Sequence, residues 1–256
     1  MSTRKKCHQK IIRDKKQEEE YLTKGEWWES IDTSPSNARV EIISYKEAKE
    51  VIIEYEWLGT MPAGAFLCVG LFFDNYLAGV EVFTIAKAGG LYTLWNEKAI
   101  CLARGCCVHW CPKWGSSFLI SRALKIMQEY YEGEPRYVLA YSDWEAGEIG
   151  TVYQATNWIY LGAHNKPEWR DPNGKRYDEN HHRDKARTID KDFKLKRKLN
   201  PEIVQKIKQE MIDEGWTKNK TKRGRYATVI GYNGKKKKEM LKKLKDNAKP
   251  YPKTHA

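Results

Sequence analysis

Two segments of this 256-residue chain contain residue types that can carry out acid–base chemistry. Ser142 and Asp143 follow a short, mostly apolar segment over 136–141, and Tyr153 lies ten residues after the aspartate. A carboxylate can take up a proton, and a phenol can give one to a leaving group. Because polar side chains just beyond strand ends line the ligand crevice of open α/β sheets, we predict that these residues share one site. A turn or a helix cap is the alternative role for Asp143.

The second segment, Cys107 to Ser117, has the pattern of a strand that enters a loop and then a helix. Ser116 and Ser117 stand where we predict the helix to begin, as its N-caps, and Lys113 precedes them. Backbone amides at a helix N-terminus attract anions, and a nearby lysine strengthens that attraction. We predict an anion site here, with a plain strand-to-helix connection as the alternative.

Cys106, Cys107, His109 and Cys111 raise the question of a metal site. On a strand, residues 107, 109 and 111 would share one face and supply at most three ligands. Six cysteines in a cytoplasmic chain are typical of thiols rather than disulfides. Buried thiols are the favoured interpretation, with iron or zinc as the alternative. The pair His181-His182 lies in a polar segment, where an ordinary loop is favoured over a metal site.

The elements that must position these residues follow from the spacing of apolar side chains. Val40 begins a strand, Ser44 caps a helix that runs to Tyr55, and Asp74-Asn75 joins two strands as a hairpin turn. The pattern further predicts a strand over 98–111, a helix over 118–131, a strand over 136–141, a helix over 150–157 and a strand over 158–162. This order predicts an α/β domain with a mixed, mostly antiparallel sheet, two crossover helices and flanking helices.

Charge is distributed unevenly along the chain. The formal net charge is +12, yet residues 191–256 carry 21 basic and 7 acidic side chains, and the first 190 residues are close to neutral. Such a tail can neutralise phosphates, so we predict nucleic-acid binding, with a solvated charge run as the alternative. The residues assigned to this contact interleave cations with an aromatic side chain: Lys218, Lys220, Lys222, Arg223, Arg225 and Tyr226.

The predicted organisation has three parts: a polar N-terminal arm over 1–36, an α/β core over 37–165 and a basic C-terminal region over 166–256. That last region is predicted to contain a hairpin, a helix after Asn200-Pro201, a strand and a lysine-rich helix to Asp246. No stretch is apolar enough to span a membrane, and no apolar segment follows the basic N-terminus. We therefore expect a cytoplasmic protein without a membrane partner.

The segment from Gly150 to Gly162 is similar to the last motif of the GNAT N-acyltransferases, in which a helix with an alanine and a tyrosine leads into an aromatic strand. Taken together, several segments resemble the Mom family of phage DNA-modification proteins. They are Tyr55-Glu-Trp-Leu-Gly, Leu102-Ala-Arg, Gly115-Ser-Ser-Phe-Leu-Ile, Tyr141-Ser-Asp, the Gly150–Gly162 segment and Pro250-Tyr-Pro-Lys. Glu56 stands where the family is expected to have a histidine.

The resemblance implies a GNAT-like transferase that converts adenine in DNA to N6-carbamoylmethyladenine and protects phage DNA from restriction, in the host cytoplasm. It implies that Tyr153 protonates the leaving group. Because the N6 amine is a weak nucleophile, we assign its assistance to the Asp143 carboxylate, and we assign the donor's phosphate or carbonyl oxygen to Ser116 or Ser117. Substrate binding is assigned to Tyr55, Trp57, Arg104, Lys113, Ser142 and Trp144. Of these, the aromatic side chains are candidates for stacking on an extruded base. The implied partner is double-stranded DNA.

Two donors stay open: a coenzyme A thioester such as acetyl-CoA, and glycyl-tRNA. An acetyl group lacks the nitrogen of the carbamoylmethyl product, whereas a glycyl group on N6 is an isomer of that product. With the second donor, tRNA is a further partner. Two other functions also stay open, namely a GNAT-like N-acyltransferase for a protein or tRNA amine and a non-catalytic nucleic-acid-binding protein.

Overall fold

The computed structural model describes residues 7–85, 93–95, 97–190, 192–193 and 198–253. The helices are α1 (His8–Lys24), α2 (Tyr45–Tyr55), α3 (Gly115–Tyr130), α4 (Thr151–Ala155), α5 (His181–Ile189), α6 (Pro201–Asp213) and α7 (Lys235–Asp246), with a 3-10 turn at Trp27–Ser30. The strands are β1 (Ala38–Ile43), β2 (Ala65–Phe73), β3 (Tyr76–Ile85), β4 (Thr93–Leu94), β5 (Glu97–Cys107), β6 (Arg136–Asp143), β7 (Ile159–Arg170), β8 (Arg176–Asp178) and β9 (Thr217–Ile230).

The strands form one mixed sheet in the order β1-β2-β3-β5-β6-β9-β7-β8, and β4 pairs with β5 beside this path. The pairs β1–β2, β2–β3 and β3–β5 are antiparallel. The pair β5–β6 is parallel, and α3 is the crossover between its two strands. The predicted class, a mixed and mostly antiparallel α/β fold, is confirmed.

Local sequence signals explain several of these elements. The Ser44 hydroxyl accepts from the Glu47 backbone N–H, and the Glu47 carboxylate accepts from the Ser44 backbone N–H, so a complete capping box begins α2. Asp74, at positive φ, and Asn75 form the two-residue turn between β2 and β3. At α6, the Asn200 side chain accepts from the Glu202 backbone N–H.

The chain divides into two compact units whose boundaries differ from the predicted ones. The first comprises Met1–Gly162 and Gly224–Ala256, and the second comprises Ala163–Arg223. The end of the predicted C-terminal region therefore belongs to the first unit. In the predicted N-terminal arm, Trp28 and Ile31 are buried in the main core. Apolar side chains in this segment pack against the core and hold it there.

The main core of the first unit lies between the sheet and helices α2 and α3. Its largest fully buried side chains include Phe73, Phe83 and Trp158. The second unit has its own small core of Trp169, Ala186, Ile207 and Met211. Across the part of the chain that the structure describes, no helix has the length and apolar character needed to cross a membrane.

Candidate active site

A cleft opens where the two parallel strands separate. The β5–β6 ladder pairs Ala99 with Tyr137 and ends at Leu102 and Ala140. Strand β5 continues to Cys107 along β3, while β6 continues to Asp143. Beyond the last pair, the two strands border a cavity of about 680 Å³. Gly105 of β5 and Ser142 of β6 are among the residues that line it. The predicted crevice at the strand ends is thus present in the fold.

The start of α3 borders this cleft. Lys113, Ser116 and Ser117, the residues of the predicted anion site, are among those that line it. The serines are not the helix caps, however, because Trp114 occupies the N-cap position and the serines lie in the first turn. The Ser117 hydroxyl donates to the Trp114 carbonyl at 2.9 Å. The first turn of a helix also presents backbone N–H groups without helical partners, which favours a negatively charged ligand.

Tyr153 lies on the opposite wall, in the short helix α4. Its ring is held against Trp158 and Tyr226, with centroid distances of 5.3 and 5.2 Å. Burial, followed by the nearby acids Glu81 and Glu148, raises the pKa of the Tyr153 hydroxyl well above its ordinary value of 10.0. The hydroxyl is therefore protonated at neutral pH and can donate to a bound ligand.

Asp143 and Arg104 belong to a second group, beside the cleft. Asp143 is buried at the end of β6, where one carboxylate oxygen accepts from the Glu145 backbone N–H at 3.1 Å. Its charge contributes to raising the pKa of Glu56, although burial is the larger cause. Arg104 lies 3.9 Å from the Glu56 carboxylate and donates to the Thr60 carbonyl at 2.9 Å. Asp143 thus has the turn contact that was its alternative role, and it is not among the residues that line the cleft.

The predicted stacking residues Tyr55, Trp57 and Trp144 lie in two segments of the chain. The Tyr55 hydroxyl lies 3.2 Å from His109 Nδ1 and donates to Glu20 at 3.3 Å. Trp57 makes an edge contact with the ring of His8. Trp144 follows Asp143 in the turn after β6 and is half-buried. Tyr55 and Trp57 thus contact different histidines, His109 and His8.

The N-terminal helix closes the cleft, a role that sequence analysis missed. Cys7, Gln9 and Lys10 are part of the lining. The Gln9 side-chain amide donates to the Gly105 carbonyl at 2.9 Å, in the part of β5 that no longer pairs with β6. The His8 backbone N–H donates to the Ala146 carbonyl at 2.8 Å. The helix is thereby fastened on both sides of the opening.

Glu81 is the other site residue that sequence analysis missed. It lies in β3 opposite Gly105 of β5, is 5% exposed and lines the cleft. Gly105 leaves room for it, because a Cβ atom at that position would collide with the Glu81 carboxylate. Burial raises the pKa of Glu81 well above its ordinary value of 4.5. A lone acid within the apolar run from Leu77 to Phe83 was the available signal in the sequence.

The cysteine–histidine segment is arranged as a thiol cluster. Strand β5 ends at Cys107, so residues 109 and 111 do not continue its face as predicted. The Cys107 sulfur lies 3.2 Å from the Ser116 hydroxyl, and its pKa is lowered because the Cys111 thiol and Ser116 hydrogen-bond to it. Over the described ranges, no group of three or more His, Cys, Asp or Glu side chains is arranged to hold a metal ion.

The basic residues of β9 divide by their position on the strand. Three lysines are exposed, namely Lys218, Lys220 and Lys222, and their spacing of two residues places them on one face of the strand. Arg223 and Arg225 are half-buried. Tyr226 is fully buried, and its hydroxyl donates to the Ile149 carbonyl. The assignment of Tyr226 to nucleic-acid contact is therefore wrong, because its ring packs inside the core against Tyr153 and Tyr160.

The mixed sheet thus opens between its two parallel strands, and the resulting cleft is lined by the start of α3 and by Tyr153. The model of the Mom protein family matches residues 37–253, and the chain belongs to that family. Mom proteins modify adenine in DNA to its carbamoylmethyl form and so protect phage DNA, and this chain is a DNA-modification transferase of that kind, with DNA as its substrate.

Among solved structures, the chain is similar to the crystal structure of AtaTR bound with AcCoA, at 11% identity and a TM-score of 0.35. That similarity covers 48% of this chain and 85% of the other. Comparison with curated protein sequences finds no match. The family match begins at residue 37, so α1, which closes the cleft, lies outside it.

Proposed function

We propose that the cleft between β5 and β6 transfers a glycyl group from a charged tRNA to N6 of adenine in DNA, on the way to the carbamoylmethyl product. The observation that carries this proposal is the cleft itself, which combines a cationic wall with acidic groups. Lys113 and the first turn of α3 suit the phosphates of a nucleotide donor. Glu81 and Glu148 give the same cleft an acidic side, which suits a donor that carries an amine.

The proposed transfer balances in atoms and protons. The N6 nitrogen attacks the glycyl ester carbonyl, the ester C–O bond breaks, and the tRNA hydroxyl leaves with a proton. The glycyl amine then attacks C6 through a five-membered ring, and the original C6–N6 bond breaks, which yields N6–CH2–CO–NH2 without loss of an atom. An acetyl donor would give N6-acetyladenine, which lacks the second nitrogen.

Two side chains have proposed roles in the first step. Asp143 assists the N6 amine as charge develops on it, and Tyr153 donates the proton to the departing hydroxyl. The raised pKa of Tyr153 supports its role as the donor of that proton. Ser116 and the backbone amides of the first turn of α3 are proposed to orient the donor.

The exposed lysines of β9 are proposed to hold the DNA backbone. They lie in the second compact unit, whose 61 residues from 163 to 223 carry 18 basic and 11 acidic side chains. Because phosphate contacts carry little sequence information, binding through these residues is expected to show weak sequence preference.

A reconstituted reaction tests the donor. Purified protein and DNA are incubated with glycyl-tRNA or with acetyl-CoA, and the digested nucleosides are analysed by mass spectrometry. We expect modified deoxyadenosine with glycyl-tRNA alone. Modification with the coenzyme A ester, and none with glycyl-tRNA, would overturn the proposed donor. Uncharged tRNA serves as the matched control.

A further inference from the structure

Among the described residues, Glu81 is a buried acid for which no counterion is found. Its side chain is 5% exposed and makes no hydrogen bond or ion pair with any other described residue. Glu168, an equally buried acid of the second unit, differs in accepting from both Arg170 and Arg176. A buried carboxylate without such partners is costly, so an unpaired one in a cleft indicates a group that pairs with a ligand.

The surroundings of Glu81 direct its carboxyl into the cleft. Gly105, opposite it on β5, has no side chain to cover the carboxyl, and any larger residue there would collide with it. The Gly105 carbonyl itself is occupied by the Gln9 amide. Glu81 therefore lines the cleft next to the edge that β5 exposes after it separates from β6.

The cations of the cleft lie on elements other than the strand that carries Glu81. Lys113 precedes α3, and Lys10 of α1 forms an ion pair with Asp14 at 3.0 Å. The Ser116 hydroxyl, in the first turn of α3, lies 3.2 Å from the Cys107 sulfur of β5. The same cleft is thus lined by lysines and, from β3, by an acid for which no ion pair is found among the described residues.

We propose that Glu81 is the binding group for the primary amine of the donor, so that this cleft selects an α-aminoacyl donor over an acyl donor without an amine. This inference rests on the proposed function, and it adds the residue that recognises the donor class. Charge-assisted pairing of the ammonium with the carboxylate satisfies both groups in a site of low polarity. An acetyl group leaves Glu81 unpaired, which penalises its binding.

The test uses two small probes that differ in charge and have nearly the same shape. Glycinamide carries the ammonium, whereas propionamide has a methyl group in its place. Binding to the full-length protein is measured by NMR titration at matched ionic strength. We expect glycinamide to bind roughly tenfold more tightly than propionamide to the wild type. Glu81→Gln should abolish this preference, and Glu81→Asp should retain part of it.

The matched control is Glu41→Gln, which changes a solvent-accessible glutamate of β1 that lies outside the cleft. It should keep the preference for glycinamide. Equal binding of the two probes to the wild type, or an undiminished preference in a folded Glu81→Gln variant, would overturn the assignment. This assay contains no DNA and no tRNA. A negative result here would therefore rule out amine recognition by Glu81, whereas a negative result in the reconstituted reaction would rule out the proposed donor.

Discussion

At the scale of single residues, the hydroxyl of Tyr153 can be removed with little disturbance to the fold. The ring contacts with Trp158 and Tyr226 do not involve the hydroxyl. Tyr153→Phe is therefore expected to fold normally and to lower adenine modification by about 100-fold or more, the usual worth of a positioned general acid. Modified nucleosides measured by mass spectrometry provide the readout.

The control for that variant is Tyr160→Phe, which removes the hydroxyl of a buried tyrosine next to Tyr226 but away from the cleft. It should keep nearly full activity. If Tyr153→Phe is as active as this control, Tyr153 is not the proton donor.

Glu81 gives a prediction about stability and pH. Its pKa in the folded protein is raised above the ordinary value of 4.5, so the folded state is most stable when the carboxyl is protonated. The free energy of unfolding therefore falls as the pH rises through the folded pKa. Glu81→Leu removes this pH-dependent loss of stability. We expect the variant to exceed the wild type in unfolding free energy by about 1–2 kcal/mol at neutral pH, while modification is lost.

Urea denaturation measures this difference in unfolding free energy. The range from about pH 4 to about pH 8 includes both the ordinary pKa of a glutamate and neutral pH. The gap between Glu81→Leu and wild type should widen as the pH increases. A gap that stays constant or narrows would show that the carboxyl does not have a raised pKa in the folded protein.

At the scale of elements, Arg13 connects α1 to the loop before α3. The Arg13 guanidinium donates to the carbonyls of His109 and Cys111 at 2.9 and 2.8 Å. Arg13→Ala leaves both carbonyls without this donor and is expected to lower the unfolding free energy by about 2 kcal/mol. Chemical denaturation measures the loss.

Lys15→Ala is the comparison variant, since Lys15 is largely exposed and forms a surface ion pair with Glu19. It should change stability little. A small effect for Arg13→Ala as well would mean that α1 is not fastened through these carbonyls.

The elements that sequence analysis predicted correctly are those with local signals. The serine cap of α2, the Asp-Asn turn and the Asn-Pro start of α6 each depend on residues a few positions apart. The role of α1 could not be predicted in this way, because Gln9 and Gly105 are 96 residues apart in the chain. The exposure of Glu81 to a cleft likewise depends on where β5 and β6 separate, which no short pattern encodes.

The same distinction applies to the predicted site. Lys113, Ser116, Ser117, Ser142 and Tyr153 line one cleft because their segments follow neighbouring strands, a topology that the element order implies. Tyr226 was misassigned because its neighbours are basic, although the strand turns its ring inward. The local sequence therefore indicates that this segment is basic, but it does not indicate which of its side chains are exposed to solvent.

At the scale of the whole molecule, the positive charge predicts a salt-dependent contact with DNA. Replacing Lys218, Lys220 and Lys222 with alanine removes three exposed charges from β9. If each contacts a phosphate, the slope of log K against log salt should fall by about 2.7, and affinity at low salt should fall across all sequences. Fluorescence anisotropy with duplex DNA at several salt concentrations measures both.

An equal change of charge elsewhere is the control. Lys46, Lys49 and Lys125 are exposed lysines of α2 and α3, and their triple replacement should alter the slope much less. Equal effects of the two triple variants would mean that the net charge, rather than the lysines of β9, governs binding.

The central claim is that this Mom-family chain modifies adenine in DNA through the cleft between β5 and β6. The most direct measurement is nucleoside mass spectrometry of DNA from bacteria that express either the wild type or Tyr153→Phe. We predict deoxyadenosine bearing one carbamoylmethyl group with the wild type and its near absence with the variant. Unmodified deoxyadenosine with a folded, expressed wild type, or equal modification by the variant, would contradict the account.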